Sequence, residues 1–196
     1  MMGCFVTGTD TGVGKTLVSA GLLHALARHH RRVVGMKPVA AGLVPWGDDW
    51  ASEDAIALRS ASTLAVPPAL DNPVLLPDPL SPHIAAARAG VQIDITAIVR
   101  SYQALAAQAL ALPVVLVVCL RLGCLNHALL TAEAIRARGL TLAGWVANRV
   151  DPDMEAVEDN IAYLRARLNA PLLADVPYQE LPEPGSLVFD LPKDWQ

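Results

Sequence analysis

The sequence predicts an α/β fold: a doubly wound, mostly parallel sheet with helices on both faces. Two observations carry this. Strand-like apolar runs alternate with helical periodicity along the whole chain, and Leu112–Cys119 (LPVVLVVC) is apolar and valine-rich throughout, as a parallel strand buried on both faces should be. A third feature excludes the closed alternative, because the chain holds too few βα units for an eight-stranded barrel. At 196 residues it is long enough for one sizeable core, so a single domain spanning residues 1–196 is expected.

Taken in order, Cys4–Thr7 is a short β-compatible run that enters the Gly-rich stretch Gly8–Thr16. Leu17, Val18, Leu22, Leu23 and Leu26 then repeat with helical spacing up to Ala27. Val33–Lys37 predicts a second strand stopped by Pro38, which cannot donate to a ladder, and this places Lys37 at the strand's carboxyl end. A helix is predicted from Ser52, with Glu53 and Asp54 in its first turn, and the proline-rich segment Pro67–Pro82 predicts an ordered, irregular loop. Ser81-Pro82 opens a short helix that ends at Gly90. Ile95, Ile98, Val99, Tyr102, Leu105 and Ala109 mark one face of another, and both should pack on a sheet. After the valine-rich strand come a helix from about Asn126 to Arg138, a strand at Leu142–Asn148, a helix capped by Asp151-Pro152 and running to about Leu168, and a last strand at Pro171–Val176.

Composition narrows the classes of function. Hydrophobic residues make up 53% and charged residues 17%, with a mean hydropathy of +0.37, which excludes a disordered chain. A net charge of -4 and a pI of about 5.7 supply no basic field for a phosphodiester backbone, so no nucleic-acid partner is expected. Three cysteines without metal-like spacing, and no leader-like start, predict a reduced, cytoplasmic protein. The longest apolar run, Ala104 to Leu120, is broken by Gln108 and Pro113 and falls short of the ~20 apolar residues of a membrane span.

The strongest chemical signal is Thr9-Asp10-Thr11-Gly12-Val13-Gly14-Lys15-Thr16. A strand that turns through glycines into a helix opening on Gly-Lys-Thr presents backbone N–H groups and a helix N-terminus to a polyphosphate. Lys15 would meet the β/γ oxygens and the Thr16 hydroxyl would meet Mg²⁺, so the fold is expected to be P-loop NTPase-like. The strict pattern wants glycine at position 9, and here Gly8 comes one residue early. Lys37, at a carboxyl sheet edge, could be a second cation for an anionic transition state, or a solvated lysine. Asp54 could reach a metal, and the helix dipole explains an acid in a first turn equally well. Gly123-Cys124-Leu125-Asn126 could offer free N–H groups to a carboxylate, or Asn126 could simply cap its helix. Asn148 could read a base or close a turn. The five histidines show no metal spacing.

FVTGTDTGVGKT, MKPVAAG, SPHIAAARAG, RLGCLNHALLTAEAI, LAGWVANRV and ADVP occur in the order found in the dethiobiotin synthetases, ATP-dependent ligases of biotin biosynthesis, and the chain resembles that family over most of its length. The resemblance implies a cytoplasmic, homodimeric cyclo-ligase. CO₂ adds to an amine of 7,8-diaminopelargonate, ATP phosphorylates the carbamate, and the second amine closes the ring. It implies Thr11, Gly12, Val13, Gly14, Lys15 and Thr16 as the phosphate site, with Thr11, Lys15 and Lys37 catalytic and Thr16 and Asp54 on Mg²⁺. Asn148, Arg149, Pro177, Tyr178, Gln179 and Glu183 would hold the adenine end. Ala41 stands where the family has a substrate-contacting serine, and Gly123, Cys124, Leu125 and Asn126 would meet the substrate carboxylate of the neighbouring subunit. The family's strand and Glu-Gly-Ala-Gly-Gly loop, between the helix at Ile95–Ala109 and the strand from Leu112, have no counterpart here. A different P-loop ATPase or ligase of the same fold, or a degenerate nucleotide-binding or dimerisation module, is the alternative.

Overall fold

In the computed structural model, which describes residues 3–47, 49–105 and 113–196, the chain runs β1 (Phe5–Gly8), α1 (Lys15–Ala27), β2 (Val39–Ala41), β3 (Val44–Trp46), β4 (Asp49–Ala51), α2 (Glu53–Ala61), α3 (Pro68–Asp71), β5 (Val74–Leu76), α4 (Pro82–Ala89), α5 (Ile95–Leu105), β6 (Val114–Leu120), α6 (Cys124–Ala137), β7 (Leu142–Arg149), α7 (Val157–Arg167) and β8 (Leu172–Val176). Among the described residues the elements fall into two compact units, one from residues 26–105 and one from residues 3–25 with 113–196.

In the second of these, β1, β6, β7 and β8 lie side by side in that order, all parallel. Gly8 stands opposite Val117, and Cys119 and Leu120 stand opposite Asn148 and Arg149. Every residue of β6 is buried, as its continuous apolar run requires. Alternate residues Val114, Leu116, Val118 and Leu120 share one core with Ala128 and Ala132 of α6, Trp145 of β7, and Ile161 and Leu164 of α7. Each fully buried leucine there contributes about 1.5–3 kcal/mol. Crossover helices thus flank a parallel sheet, and the carboxyl ends of its strands carry the candidate chemistry.

Two boundaries in this unit differ from expectation. The helix expected from Asp151-Pro152 begins at Val157. Asp151 Oδ1 instead accepts the Asp153 N–H at 3.0 Å in a local turn, and Ala156 at φ 55 breaks the approach. The helix expected from Asn126 begins two residues earlier, at Cys124, so Asn126 lies inside α6 and the capping position is Gly123 at φ 89.

In the unit of residues 26–105, β2 and β5 form a parallel pair and β3 and β4 an antiparallel one. α4 opens after Ser81 with Pro82 at its start and closes on Gly90 at φ 65, and it packs on β2 and β5 through Ala85 and Ala86. α5 packs chiefly on α3 rather than on a sheet. Ile98 joins the cluster around Val74 and Leu76, while Ile95 and Val99 stay exposed. Ala109 and Leu112 lie outside the described residues.

Two expectations are corrected here. Val33–Lys37 is extended but is not a strand. The N–H groups of Val33, Gly35 and Lys37 donate to Thr63 Oγ1, Ser62 Oγ and the Asp71 carbonyl, so one edge is satisfied by loop groups and, among the described residues, no ladder forms on the other. The segment Pro67–Pro82 is not irregular throughout, because it contains α3 and β5. Val74, Leu75 and Leu76 supply three consecutive apolar residues, and β2 supplies the partner that lets them pair.

Candidate functional site

The glycine-rich stretch is held against the sheet at each turn. Thr9 N–H donates to the Val117 carbonyl at 3.2 Å, extending the β1–β6 ladder one residue into the loop. Val13 is fully buried, and a Cβ on Gly8 would stand 2.5 Å from its Cγ2, so the tight fold-back needs glycine at 8 although the strict pattern wants it at 9. Gly14 has φ 89, and a Cβ there would overlap Asn148 Nδ2. The first intrahelical bond, Val18 N–H to the Gly14 carbonyl at 3.0 Å, opens α1 directly after it, with Lys15 and Thr16 in its first turn. Lys15 Nζ donates to the Asp10 carbonyl at 2.6 Å, while Asp10 Oδ1 accepts the Thr11 N–H at 2.7 Å and Oδ2 pairs with Arg121 Nη2 at 2.5 Å. The Thr11 N–H bond and Arg121 hold the Asp10 carboxyl below the usual carboxylate range. Sequence reasoning missed Asp10 and Arg121, which lie 111 positions apart; Arg121 comes directly after the end of β6 at Leu120.

Asn148 is nine-tenths buried or more at the end of β7, and its Nδ2 donates to the Val13 carbonyl at 2.9 Å. Its amide therefore braces the P-loop. Arg149 donates to both Asp175 oxygens, at 2.8 and 2.6 Å, and to Glu158 Oε1 at 2.7 Å, and these bonds raise its guanidinium well above the ordinary arginine range. It ties β7 to β8 and α7. Beyond β8, Pro177 and Tyr178 lead to Gln179, whose Oε1 accepts the Glu183 N–H at 3.2 Å, so Gln179 and Glu183 meet across one loop.

At the N-terminus of α6 a pocket of about 500 Å³ opens. Gly123, Cys124, Leu125 and Asn126 all line it, and so do Arg121 and Asn160. Two acids not anticipated from sequence, Asp151 and Glu155, share the lining. Leu122, beside them, is 98% exposed.

In the unit of residues 26–105, Lys37 Nζ donates to Asp54 Oδ2 at 2.5 Å, so the expected cation and the expected metal ligand meet each other. The backbone of Lys37 is clamped from behind: its N–H donates to the Asp71 carbonyl at 2.7 Å, and Asn72 Nδ2 donates to its carbonyl at 2.6 Å. Asp71 and Asn72 are both 4% exposed, and Arg59 grips the Asp71 carboxylate through two bonds at 2.8 and 2.6 Å. This bracket went unread in sequence, although Asp71-Asn72-Pro73 is itself a turn signal. Ala41 is the last residue of β2, opposite Leu76. Among the described residues no three of His, Cys, Asp and Glu gather into a metal-binding cluster, and no helix is long and apolar enough to cross a membrane.

Comparison with known proteins agrees with this geometry. The AAA domain family matches residues 2–108 and 100–185, two pieces that meet at 100–108. The ATP-dependent dethiobiotin synthetase BioD of Aromatoleum aromaticum (strain DSM 19018 / LMG 30748 / EbN1) is 46% identical over 216 residues, covering 95% of each chain. That matched length exceeds the 196 residues of this chain by 20, so the relative carries residues that this chain lacks. With a P-loop at the head of a parallel sheet and this identity over nearly its full length, the chain belongs to the ATP-dependent dethiobiotin synthetase family.

Proposed function

We propose that the protein is a ligase that uses ATP to close 7,8-diaminopelargonate and CO₂ into dethiobiotin. One amine attacks CO₂ to give a carbamate. A carbamate oxygen takes the γ-phosphoryl group of ATP as ADP leaves, and the second amine attacks the carbonyl carbon to expel phosphate. The observation that carries the reading is the P-loop, where the glycine-rich turn at the end of β1 opens α1 with Lys15 and Thr16 in its first turn and Lys15 rests on a neutral carbonyl it can exchange for phosphate oxygens. Thr11, Gly12, Val13, Gly14, Lys15 and Thr16 would hold the phosphates. Asn148, Arg149, Pro177, Tyr178, Gln179 and Glu183 would border the adenine end, with Asn148 Nδ2 also bracing Val13 and Arg149 also tied to Asp175.

Mg²⁺ takes one or two protein ligands and completes its shell with phosphate oxygens and water. Thr16 would supply a hydroxyl, and Asp54 is the carboxylate that the family resemblance implies. Lys37 would stabilise charge on the transferring phosphoryl group. Gly123, Cys124, Leu125 and Asn126 would receive a substrate carboxylate at the N-terminus of α6, where the helix dipole favours an anion although Asp151 and Glu155 share the pocket, and Ala41 would leave the substrate one hydroxyl short. The family resemblance implies a cytoplasmic homodimer, and a partner subunit could cover the exposed Leu122 beside that pocket.

The test measures phosphate release and dethiobiotin formation by the wild-type protein with and without 7,8-diaminopelargonate. Release that requires the diamine and matches dethiobiotin mole for mole is the expected result. Release indifferent to the diamine would indicate another P-loop ATPase, and ATP binding without release would indicate a degenerate nucleotide-binding module. Either result overturns the synthetase reading.

A further inference from the structure

We propose that Arg59, Asp71 and Asn72 form a bracket of positioning residues that fixes where Lys37 delivers its charge. Lys37 closes the extended segment Val33–Lys37, which among the described residues has no strand ladder to hold it. Its backbone is gripped instead on both polar groups: the N–H donates to the Asp71 carbonyl at 2.7 Å, and the carbonyl accepts Asn72 Nδ2 at 2.6 Å. Asn72 Nδ2 also reaches the Val74 carbonyl at 3.4 Å, which ties the grip to β5.

The bracket closes on itself through α2. Asp54 in the first turn of that helix accepts Lys37 Nζ at 2.5 Å, while Arg59 near its end holds both Asp71 carboxylate oxygens at 2.8 and 2.6 Å. One helix, rising a fixed ~1.5 Å per residue, thus spans the head of Lys37 and the residue that clasps its backbone. Asp71 and Asn72 are both buried, and a buried charge is costly unless a partner meets it. Arg59 meets it with a two-bond fork, an arrangement that sets geometry as well as charge. With main chain and head both held, the Lys37 charge is already ordered before a reaction needs it in one place. This rests on the proposed role of Lys37 in phosphoryl transfer.

The test is a double-mutant cycle read in phosphate release with 7,8-diaminopelargonate, beside calorimetric ATP affinity. Enzyme concentration is kept high, so that the residual rate of Lys37→Gln is measured. Asn72→Ala should lower kcat by about 10- to 100-fold, the scale of loss when a reacting group is displaced by roughly 1 Å, and leave ATP affinity nearly unchanged. Arg59→Lys, which keeps the charge and loses the fork, should fall between Asn72→Ala and wild type. In a Lys37→Gln background neither substitution should slow turnover further, because the group being positioned is gone. A bracket that only supports the fold would instead multiply the two losses. Where Asn72→Ala does not fold, the cycle of Arg59→Lys with Lys37→Gln carries the same test.

Normal turnover in Asn72→Ala and Arg59→Lys, beside slowed turnover in Lys37→Gln, overturns the bracket alone, and so do losses that multiply. Normal turnover in Lys37→Gln overturns the proposed role of that lysine and this inference with it.

Discussion

Lys15 and Lys37 are the two cations that the proposed chemistry uses, and their surroundings separate the roles proposed for them. Lys15 Nζ rests on the neutral Asp10 carbonyl, so ATP offers it a charged partner in exchange. Lys15→Ala should weaken ATP binding by about 10- to 100-fold, since a charge-assisted bond of about 1.5–3 kcal/mol disappears. Lys37 is already neutralised by Asp54 at 2.5 Å. Lys37→Gln should leave ATP affinity nearly intact and slow turnover, as removal of a group that acts in the transition state does. Calorimetric affinity measured beside steady-state phosphate release separates the two, and a normal turnover in Lys37→Gln removes that lysine from the mechanism. Cys4, directly before β1, gives a pH-dependent readout. Burial pushes its thiol up to about 11, so the reactive thiolate is depleted at pH 8 and grows with rising pH. Alkylation of Cys4 by iodoacetamide at pH 8 should run on the order of 100-fold slower than that of an ordinary thiol, and should accelerate up to and through pH 11. Lys15 and its glycines were legible in sequence because the motif is contiguous. Asp10–Arg121 and Arg59–Asp71 were not, because each is a contact made only after the chain has folded.

At the scale of elements, legibility followed how much of an element's stability is local. β6 and β7 are dense apolar runs whose burial needs no particular neighbour to be anticipated, and both lie where their sequences place them. Val33–Lys37 carries a similar pattern and forms no strand, because a strand is a relation to a partner and the available partners are Thr63, Ser62 and Asp71. The start of α7 was misplaced because Asp151 can cap a helix or close a turn, and the turn prevailed. The P-loop itself is an element under constraint. Gly14 combines φ 89 with a position where a Cβ overlaps Asn148, the amide that braces Val13. Gly14→Ala should therefore displace Asn148, lose its bond to Val13, and destabilise the protein by about 1–3 kcal/mol, the cost of an orphaned buried polar group. ATP affinity should fall with it. Gly12→Ala supplies the contrast, since φ 72 strains it while nothing lies within 4 Å of its Cβ. Thermal unfolding of the two variants should rank Gly14→Ala below Gly12→Ala, and the reverse order contradicts the close approach.

At the scale of the whole molecule, the strand that carries the P-loop is, among the described residues, the edge of its sheet. β1 pairs with β6 alone, and Phe5 is 54% exposed where β6 is wholly buried. The family match divides at residues 100–108, and the Aromatoleum relative aligns over more positions than this chain has residues. Both agree with a shortened segment ahead of β6, where the resemblance places a strand and an acid-bearing loop. A P-loop site usually holds Mg²⁺ by its Ser/Thr and by an acid at the end of a neighbouring strand. Here β6 ends in Cys119-Leu120 and leads to Arg121, so the strand beside β1 delivers a cation instead of a carboxylate. Without that acid, the proposed Mg²⁺ site is left with the Thr16 hydroxyl, ATP oxygens, water and whatever carboxylate the family resemblance supplies. Loss of one charge-assisted ligand of about 1.5–3 kcal/mol corresponds to Mg²⁺ activation weaker by about 10- to 100-fold. An edge left open beside the P-loop strand should also lower the unfolding midpoint, since total stability is only about 5–15 kcal/mol for a domain. Phosphate release titrated with Mg²⁺, run beside thermal unfolding on this protein and on the Aromatoleum synthetase, measures both effects. Mg²⁺ activation shifted to higher concentration together with a lower midpoint is the expected pair. Equal Mg²⁺ activation would mean that the metal needs no further acid from the strand beside β1, and equal midpoints would mean that the sheet is complete without the missing strand.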